Sequence, residues 1–301
     1  MRALIVLLLL AILGAVIVSI FRINDSGKPN SLTVSASFYP LAYFAHQIGG
    51  ARITVNTITP NGVEPHDYEP TTRDIIKLKA SSLVLIMGDG FEPWAQRAGV
   101  LSDGAIISIE HELQSSIIQK SDRPDPHLWL SPRIAEQMTD LIQRELTRQD
   151  PKGRGVYAAN ALKLKQRLQL LDQSYRKELA VCETRNLITS HAAFSYLAAE
   201  YGLTQVAISG MSPEEEPSLK DLTTLVDYAR SHSVHYVFVE TLTSPKLAET
   251  MSREVGAQTL VLNPIEGLTD EEMKNGSDYF TIMEANLNSL RLGLLCQPTT
   301  Q

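Results

Sequence analysis

The sequence predicts an α/β protein with two lobes, each a mainly parallel sheet flanked by helices, joined by one long rigid linking helix. Short apolar runs alternate with amphipathic segments along residues 32–150 and again along residues 182–301. Such alternation is typical of βαβ units and a parallel sheet. The segment 151–181 shows no strand pattern and has apolar residues at helical spacing instead. We therefore expect an N-terminal lobe, a linking helix and a C-terminal lobe over these three ranges.

The elements of the first lobe follow from apolar runs rich in β-branched residues, which favour strands, and from the amphipathic segments between them. Asp74 lies near the start of one predicted helix, where the helix dipole favours a negative charge. The predicted strands are 32–37, 53–59, 83–87 and 105–109, and the predicted helices are 40–48, 71–80, 91–98 and 132–148.

The linking helix is the longest predicted element, with about 25 residues within 152–180 and a length of roughly 38 Å. Strand and helix patterns then alternate again. Ser218 precedes a helix and Asp221 follows three residues later, as in a capping box. The predicted strands of the second lobe are 186–189, 204–208, 236–239 and 259–262, and its predicted helices are 192–201, 218–231, 245–255 and 277–295.

The N-terminus has the pattern of an export signal. Met1 and Arg2 precede an uncharged apolar run over residues 3–21, about the length of a membrane-spanning helix. Neither a Leu-x-x-Cys lipobox nor a clear small-residue cleavage site accompanies the run. We predict an uncleaved signal anchor over residues 1–22, with a cleaved signal peptide as the alternative, and a polar linker over 23–31. The chain would then be extracytoplasmic, at the cell surface or in the periplasm, and tethered to the cytoplasmic membrane.

Composition and cysteine usage limit the possible partners and the compartment. The formal net charge of −7 does not suggest a nucleic-acid partner. Export implies an oxidising compartment, so Cys182 and Cys296 are a candidate disulfide that would fix the C-terminus to its lobe. Two unpaired thiols are the alternative. Neither cysteine has a second ligand at the spacing of a cysteine metal motif.

Three histidines lie in loops that carry unusual local sequence. His66, His127 and His191 each precede a plausible helix start, and two of them follow an apolar strand-like run. Loops at the ends of parallel strands are where α/β proteins place binding groups. A cleft between the two predicted lobes would bring these loops together. Three imidazoles from separate loops would suit a borderline-soft divalent metal, zinc above all.

The residues around these histidines resemble the solute-binding proteins of zinc and manganese ABC transporters, the zinc-uptake branch in particular. The resemblance covers about 32–296 and rests on four loops. Their sequences are Asn-Gly-Val-Glu-Pro-His-Asp-Tyr-Glu-Pro (61–70), Asp-Pro-His-Leu-Trp-Leu-Ser-Pro (125–132), Ser-His-Ala-Ala-Phe-Ser-Tyr (190–196) and Ile-Ser-Gly-Met-Ser-Pro-Glu-Glu-Glu-Pro-Ser (208–218). The resemblance implies a binding protein that captures zinc between its lobes and delivers it to an ABC permease in the membrane. A monomer is the simplest expectation for its oligomeric state.

The resemblance also implies a fourth metal ligand on the loop after the last strand. That loop has Asn263 where many relatives have Asp, and Glu266 where some zinc-binding relatives have a closing Glu. We assign the fourth position to Glu266, with Asn263 or water as alternatives. Three imidazoles and one carboxylate suit tetrahedral zinc, whereas more oxygen ligation would favour manganese.

Four further residues are candidates for supporting the ligands. Glu64 and Asp125 could accept hydrogen bonds from a ligand imidazole and fix its tautomer. Glu240 ends a predicted strand beside the site, and Asn263 lies on the last ligand loop. Trp129 is expected to pack beneath the site. The remaining histidines lack such motifs and are expected to be structural: His46, His111, His232 and His235.

Two other functions are possible on this scaffold. A zinc hydrolase would need an open fourth ligand position, yet the sequence has neither a His-Glu-x-x-His motif nor a Gly-x-Ser-x-Gly turn. We therefore do not expect an enzyme. A surface adhesin is the other alternative, and it could coexist with metal transport.

Overall fold

A computed structural model describes residues 31–116, 119–120 and 123–297 of the protein. Both lobes and the linking helix fall largely within these ranges. The predicted signal anchor over 1–22 and most of the linker over 23–31 lie outside the described residues. Within the described ranges, no helix combines the length and the apolar character needed to cross a membrane.

The first lobe contains a four-stranded sheet whose neighbouring strands are all parallel. The strands are β1 (Leu32–Ala36), β2 (Ile53–Thr57), β3 (Leu83–Ile86) and β4 (Ala105–Ser108), in the order β2-β1-β3-β4. Every residue of the interior strand β3 is buried, as expected for a strand covered on both faces. The helices of this lobe are α1 (Tyr39–Gly49), α2 (Thr72–Lys79), α3 (Ala98–Leu101), α4 (Ile109–Glu112) and α5 (Pro132–Gln149). Two short strands, β5 (Gln119–Lys120) and β6 (Arg123–Pro124), pair in antiparallel orientation.

The linking helix α6 (Arg154–Glu178) confirms the prediction of one long helix between the lobes. It follows a single 3₁₀ turn, Pro151–Gly153. Its buried residues repeat at helical spacing and include Leu164, Leu168 and Tyr175. The hydroxyl of Tyr175 donates to the carbonyl of Met283 at 2.7 Å, which ties the helix to the last helix of the chain.

The second lobe repeats the architecture of the first. Its strands are β7 (Asn186–Thr189), β8 (Thr204–Ala207), β9 (Tyr236–Val239) and β10 (Gln258–Val261), all parallel in the order β10-β9-β7-β8. Its helices are α7 (Ser195–Tyr201), α8 (Leu219–Ser231), α9 (Lys246–Val255), α10 (Asp270–Lys274) and α11 (Tyr279–Gly293). The predicted capping box is present, since Ser218 and Asp221 bond each other's backbone N–H groups at the start of α8.

One apolar core runs through both lobes and the linking helix. Phe38 and Trp129 of the first lobe, Tyr175 of α6, and Phe194 and Tyr279 of the second lobe all belong to it. Each of these rings is fully buried or nearly so. A core shared in this way resists large movements of one lobe against the other.

The disulfide predicted between Cys182 and Cys296 is confirmed. The two segments also pair through their backbones, since the N–H of Gln297 donates to the carbonyl of Val181 at 2.9 Å. The bond therefore fixes the end of the chain to the start of the second lobe.

Some local predictions were wrong or incomplete. The segment 91–98 is a turn and a 3₁₀ helix, because Pro93 disfavours helix at the residue before it and lacks an N–H itself. Helix α7 begins at Ser195, since the preceding residues form the turn that carries His191. The short helix α10 was not predicted, although Thr269 and Glu272 form a capping box at its start.

Candidate metal centre

The fold brings the three predicted histidines and Glu266 to one place between the lobes. His66 lies on the loop between β2 and α2, and His127 immediately precedes the 3₁₀ turn Leu128–Leu130. His191 lies two residues beyond the end of β7, and Glu266 lies five residues beyond the end of β10. Two of the residues therefore come from each lobe. His66, His191 and Glu266 lie on loops that follow strands of the two parallel sheets, whereas His127 lies between the short strand β6 and helix α5.

These four residues form what we call the four-donor cluster. The Nε2 atoms of His66, His127 and His191 each lie 3.3 Å from Oε1 of Glu266. Nε2 of His191 also lies 3.3 Å from Nε2 of His127. All four donor atoms lie within 4.8 Å of one another. Two ligands of a tetrahedral zinc with bonds of about 2.0–2.1 Å lie about 3.3–3.4 Å apart, so the four separations of 3.3 Å match such an ion.

The cluster is secluded from solvent, and one residue is slightly more open than the rest. His127 and His191 are 0% exposed and Glu266 is 1% exposed, whereas His66 is 6% exposed. His66 also borders a cleft of about 510 Å³ whose lining includes residues of both lobes. His66 is the member of the four-donor cluster that reaches this cleft, whose acidic lining residues are Asp67, Asp89, Glu214 and Glu215.

His191 is held by the carboxylate of Glu240, at the end of β9. Oε1 of Glu240 accepts the backbone N–H of His191 at 2.9 Å, and Oε2 lies 2.7 Å from Nδ1 of its ring. A proton on Nδ1 satisfies this contact and leaves the lone pair of Nε2 free to bind a cation. Glu240 therefore lies where it can orient the ring of His191, and its role in metal binding stays a prediction.

Asp125 holds His127 in the same way. Its Oδ1 accepts the backbone N–H of His127 at 3.0 Å and lies 2.9 Å from Nδ1 of the ring. The hydroxyl of Tyr196, in the second lobe, donates to the carbonyl of Asp125 at 2.6 Å. The ring of Trp129 packs against that of His127, with centroids 5.3 Å apart, as predicted for a residue beneath the site.

His66 is supported differently. Oε1 of Glu64 accepts its backbone N–H at 3.2 Å, and the ring packs against Phe91 with centroids 4.4 Å apart. Glu64 was predicted to accept a hydrogen bond from a ligand imidazole, and its Oε1 accepts the backbone N–H of His66 instead. Burial and the nearby charge of Glu266 raise the pKa of Glu64 to about 9.

The two supporting carboxylates and Glu266 set the charge of the cluster. Burial alone would lower the pKa of His191, but the charges of Glu240 and Glu266 raise it well above the usual value. Burial also lowers the pKa of His127, but its hydrogen bonds with Asp125 and Glu266 outweigh burial and raise the pKa above the usual value. In Glu266, burial is outweighed by the charge of His191 and by hydrogen bonds from the imidazoles, which hold its pKa well below the usual value. Glu266 is therefore an anionic donor.

For His66, burial is the largest influence and lowers the pKa, against the opposing hydrogen bond with Glu266. A neutral imidazole is the form that binds a metal, so His66 is ready to bind without losing a proton.

Asn263 does not belong to the four-donor cluster. Its Oδ1 accepts the backbone N–H of Ile265 at 2.7 Å, and its Nδ2 donates to Glu272 at 2.7 Å. Its side chain therefore shapes the loop that carries Glu266. The other histidines, His46, His111, His232 and His235, are exposed and lie outside the cluster.

Two residues near the site were not identified from the sequence. Phe91 covers one face of His66, and Asn286 of α11 bonds the backbone of Asn263. The sequence contains a signal that Asn286 is buried, because this polar residue occupies an apolar position in the helical repeat that includes Met283 and Leu290. Nothing in the local sequence indicates the contact of Phe91.

The comparison with known families decides what kind of protein carries this cluster. The sequence model of ZnuA, described as the periplasmic component A of a zinc-uptake complex, matches residues 34–293. The chain belongs to this family. Membership confirms the predicted zinc-uptake branch and supports a transport component in place of an enzyme.

Individual members of the ZnuA family agree with this assignment. The chain is 36% identical over 288 residues to the high-affinity zinc uptake system protein ZnuA of Bacillus subtilis, covering 90% of each chain. It is 32% identical over 284 residues to the zinc-binding lipoprotein AdcA of Streptococcus pneumoniae, covering 89% of this chain and 57% of AdcA. It therefore spans little more than half of that longer relative.

Solved structures of similar proteins share the fold. The Zn(II)-bound ZnuA-like domain of Streptococcus pneumoniae AdcA superimposes with a TM-score of 0.77 at 34% identity, covering 88% of this chain and 99% of that domain. The laminin-binding protein Lmb of Streptococcus agalactiae, described as having adhesin and metal-transporting activity, superimposes with a TM-score of 0.80 at 28% identity. That match covers 87% of this chain and 99% of Lmb.

Proposed function

We propose that the protein is the extracytoplasmic receptor of a zinc-uptake ABC transporter, which captures one divalent metal ion between its lobes and delivers it to the permease. The observation that carries the proposal is the four-donor cluster, in which three imidazole nitrogens surround one carboxylate oxygen at 3.3 Å. Membership of the ZnuA family supports uptake as the purpose of the binding.

The proposed ligands are Nε2 of His66, His127 and His191 and a carboxylate oxygen of Glu266. Oε2 of Glu266 is buried without a hydrogen-bond partner. A buried carboxylate oxygen without a partner is costly unless a cation or a donor satisfies it. The cargo ion would remove that cost.

Zinc is the proposed cargo. Three neutral nitrogen donors and one carboxylate are a set that zinc binds in tetrahedral geometry, and relatives in the family are named as zinc-binding. Manganese is the alternative, and it would need more oxygen ligation, for example through both oxygens of Glu266.

We also propose that the receptor works as a monomer held at the outer face of the cytoplasmic membrane by residues 1–22. The apolar run between Arg2 and Arg22 supports the tether. Residues of both lobes already complete the cluster within one chain, which supports the monomer.

Titration of ligand variants tests this function. Replacing His66, His127, His191 or Glu266 by Ala removes one of four donors, so zinc affinity should fall by at least tenfold in each variant. The measurement is competition for zinc against a chromophoric chelator, using purified full-length protein. His46→Ala is the matched control, because His46 is exposed and outside the cluster. Unchanged affinity in a cluster variant would remove that residue from the ligand set.

A further inference from the structure

The loop that carries Glu266 is held from behind by one polar side chain of the last helix. Asn286 lies in α11 and is only 2% exposed. Its Oδ1 accepts the backbone N–H of Asn263 at 2.8 Å, and its Nδ2 donates to the carbonyl of the same residue at 2.7 Å. Both polar atoms of one buried amide are therefore used on one residue, three positions before Glu266.

The backbone between Asn263 and Glu266 is restrained at each step. The side chain of Asn263 accepts the N–H of Ile265, and the indole N–H of Trp129 donates to the carbonyl of Pro264 at 2.7 Å. Ile265 has a φ of 59°, in the left-handed region that β-branched residues disfavour. Such a conformation persists only where the surroundings determine it. These hydrogen bonds hold the backbone at Ile265 in this conformation. The direction of the Glu266 side chain therefore depends on them.

We propose that Asn286 is a positioning residue for metal binding, which acts through Asn263 and the left-handed turn at Ile265 to fix the carboxylate of Glu266. The proposal rests on the proposed function, since it concerns the same site. Asn286 itself lies outside the four-donor cluster.

The restraint also bears on the choice of metal. Oε1 of Glu266 lies 3.3 Å from all three imidazole nitrogens, while Oε2 has no hydrogen-bond partner. A fixed loop holds the carboxylate to ligation through one oxygen, which suits four-coordinate zinc. A relaxed loop lets both oxygens approach the ion, which raises the coordination number and favours manganese. Loss of Asn286 should therefore weaken zinc binding more than manganese binding.

The test is a double-mutant cycle between Asn286 and Glu266, read by competitive zinc titration of the full-length protein. Asn286→Asp keeps the oxygen that accepts the backbone N–H of Asn263. It loses the hydrogen bond to the carbonyl of Asn263, because an oxygen replaces the Nδ2 donor. We expect zinc affinity to fall by about 10–100-fold, the usual effect of losing a group that orients a ligand. In a Glu266→Ala background the same change should alter zinc affinity by no more than about twofold, because its target is gone. Asn288→Asp, an exposed change on the same helix, is the matched control and should bind as the unaltered chain does.

The possible outcomes separate the proposal from its alternatives. An equal loss of affinity in both backgrounds would overturn it, because Asn286 would then act on the protein generally. No loss at all would overturn it too. Asn286→Ala repeats the cycle if Asn286→Asp fails to fold, and it must show the same dependence on Glu266. If the unaltered chain binds neither zinc nor manganese, the proposed function itself fails, which the control titration shows before any variant is compared.

Discussion

At the scale of single residues, the site depends on carboxylates that select one form of each imidazole. Glu240 and Asp125 each accept a backbone N–H and contact Nδ1 of the same histidine, at 2.7 Å for His191 and 2.9 Å for His127. This double contact fixes both the position of the ring and the tautomer that leaves Nε2 free. The negative charge also makes the imidazole a stronger donor to a cation.

Glu240→Gln tests this role at the residue scale. The amide keeps the size of the side chain but loses its charge, so we expect zinc affinity to fall by about 10–100-fold. The measurement is competitive zinc titration at neutral pH. Glu254→Gln, on the exposed surface of the same lobe, is the control. Equal affinities in the two variants would show that the charge beside His191 does not contribute to binding.

At the scale of elements, the loop that carries His66 is anchored by the helix that follows it. Asp74 forms a capping box with Thr71 at the start of α2. It also accepts the hydroxyl of Tyr68 at 2.7 Å and the ammonium of Lys77 at 2.9 Å. Tyr68 lies two residues after His66, so the cap of α2 also fixes the end of a ligand loop.

Asp74 also makes stability depend on pH. Burial opposes ionisation, but hydrogen bonds from Thr71, Tyr68 and Lys77 lower the pKa of Asp74 to about 2. The unfolded value is about 3.9, so the stabilisation is fully present above about pH 4 and is lost as the pH falls towards 2. Asp74→Asn should lower the free energy of unfolding at pH 7 by about 1–2 kcal/mol and weaken its pH dependence below pH 4.

Denaturant unfolding of the metal-free protein between pH 2 and 7 measures this effect. Asp221→Asn is the matched control, because it removes the equivalent capping box from the start of α8, where the carboxylate is exposed. We expect a smaller loss in that variant. An equal loss of unfolding free energy in both variants would show that Asp74 contributes no more than an exposed capping box does.

The sequence was sufficient to predict elements and ligand loops, because strand runs and histidine motifs are local. Pro93 is a local signal against the helix predicted over 91–98, but the sequence did not indicate that the buried carboxylate of Glu92 accepts the backbone N–H groups of Met87 and Gly88 at 2.9 Å. It was also insufficient for the contact of Asn286 with Asn263, which joins a helix to a loop 23 residues away. Such contacts exist only once the second lobe has packed. The left-handed backbone of Ile265 also could not be predicted from the local sequence, because β-branched residues disfavour that conformation.

At the scale of the whole molecule, two lobes share one core and enclose the site between them. The linking helix α6 and the Cys182–Cys296 disulfide restrain the second lobe at its start and end. The cleft of about 510 Å³ beside His66 is lined by carboxylates of both lobes. A cleft with one sign of charge raises the local concentration of oppositely charged ions, so it favours the entry of a cation.

The metal content of the full-length protein tests the central claim most directly. The protein would be purified without chelator, equilibrated with equal concentrations of zinc and manganese, freed of unbound metal and analysed by elemental mass spectrometry. We expect one zinc per chain and almost no manganese, because three imidazoles and one carboxylate converge at 3.3 Å. A chain that retains neither metal would contradict the claim that these four residues form a binding site.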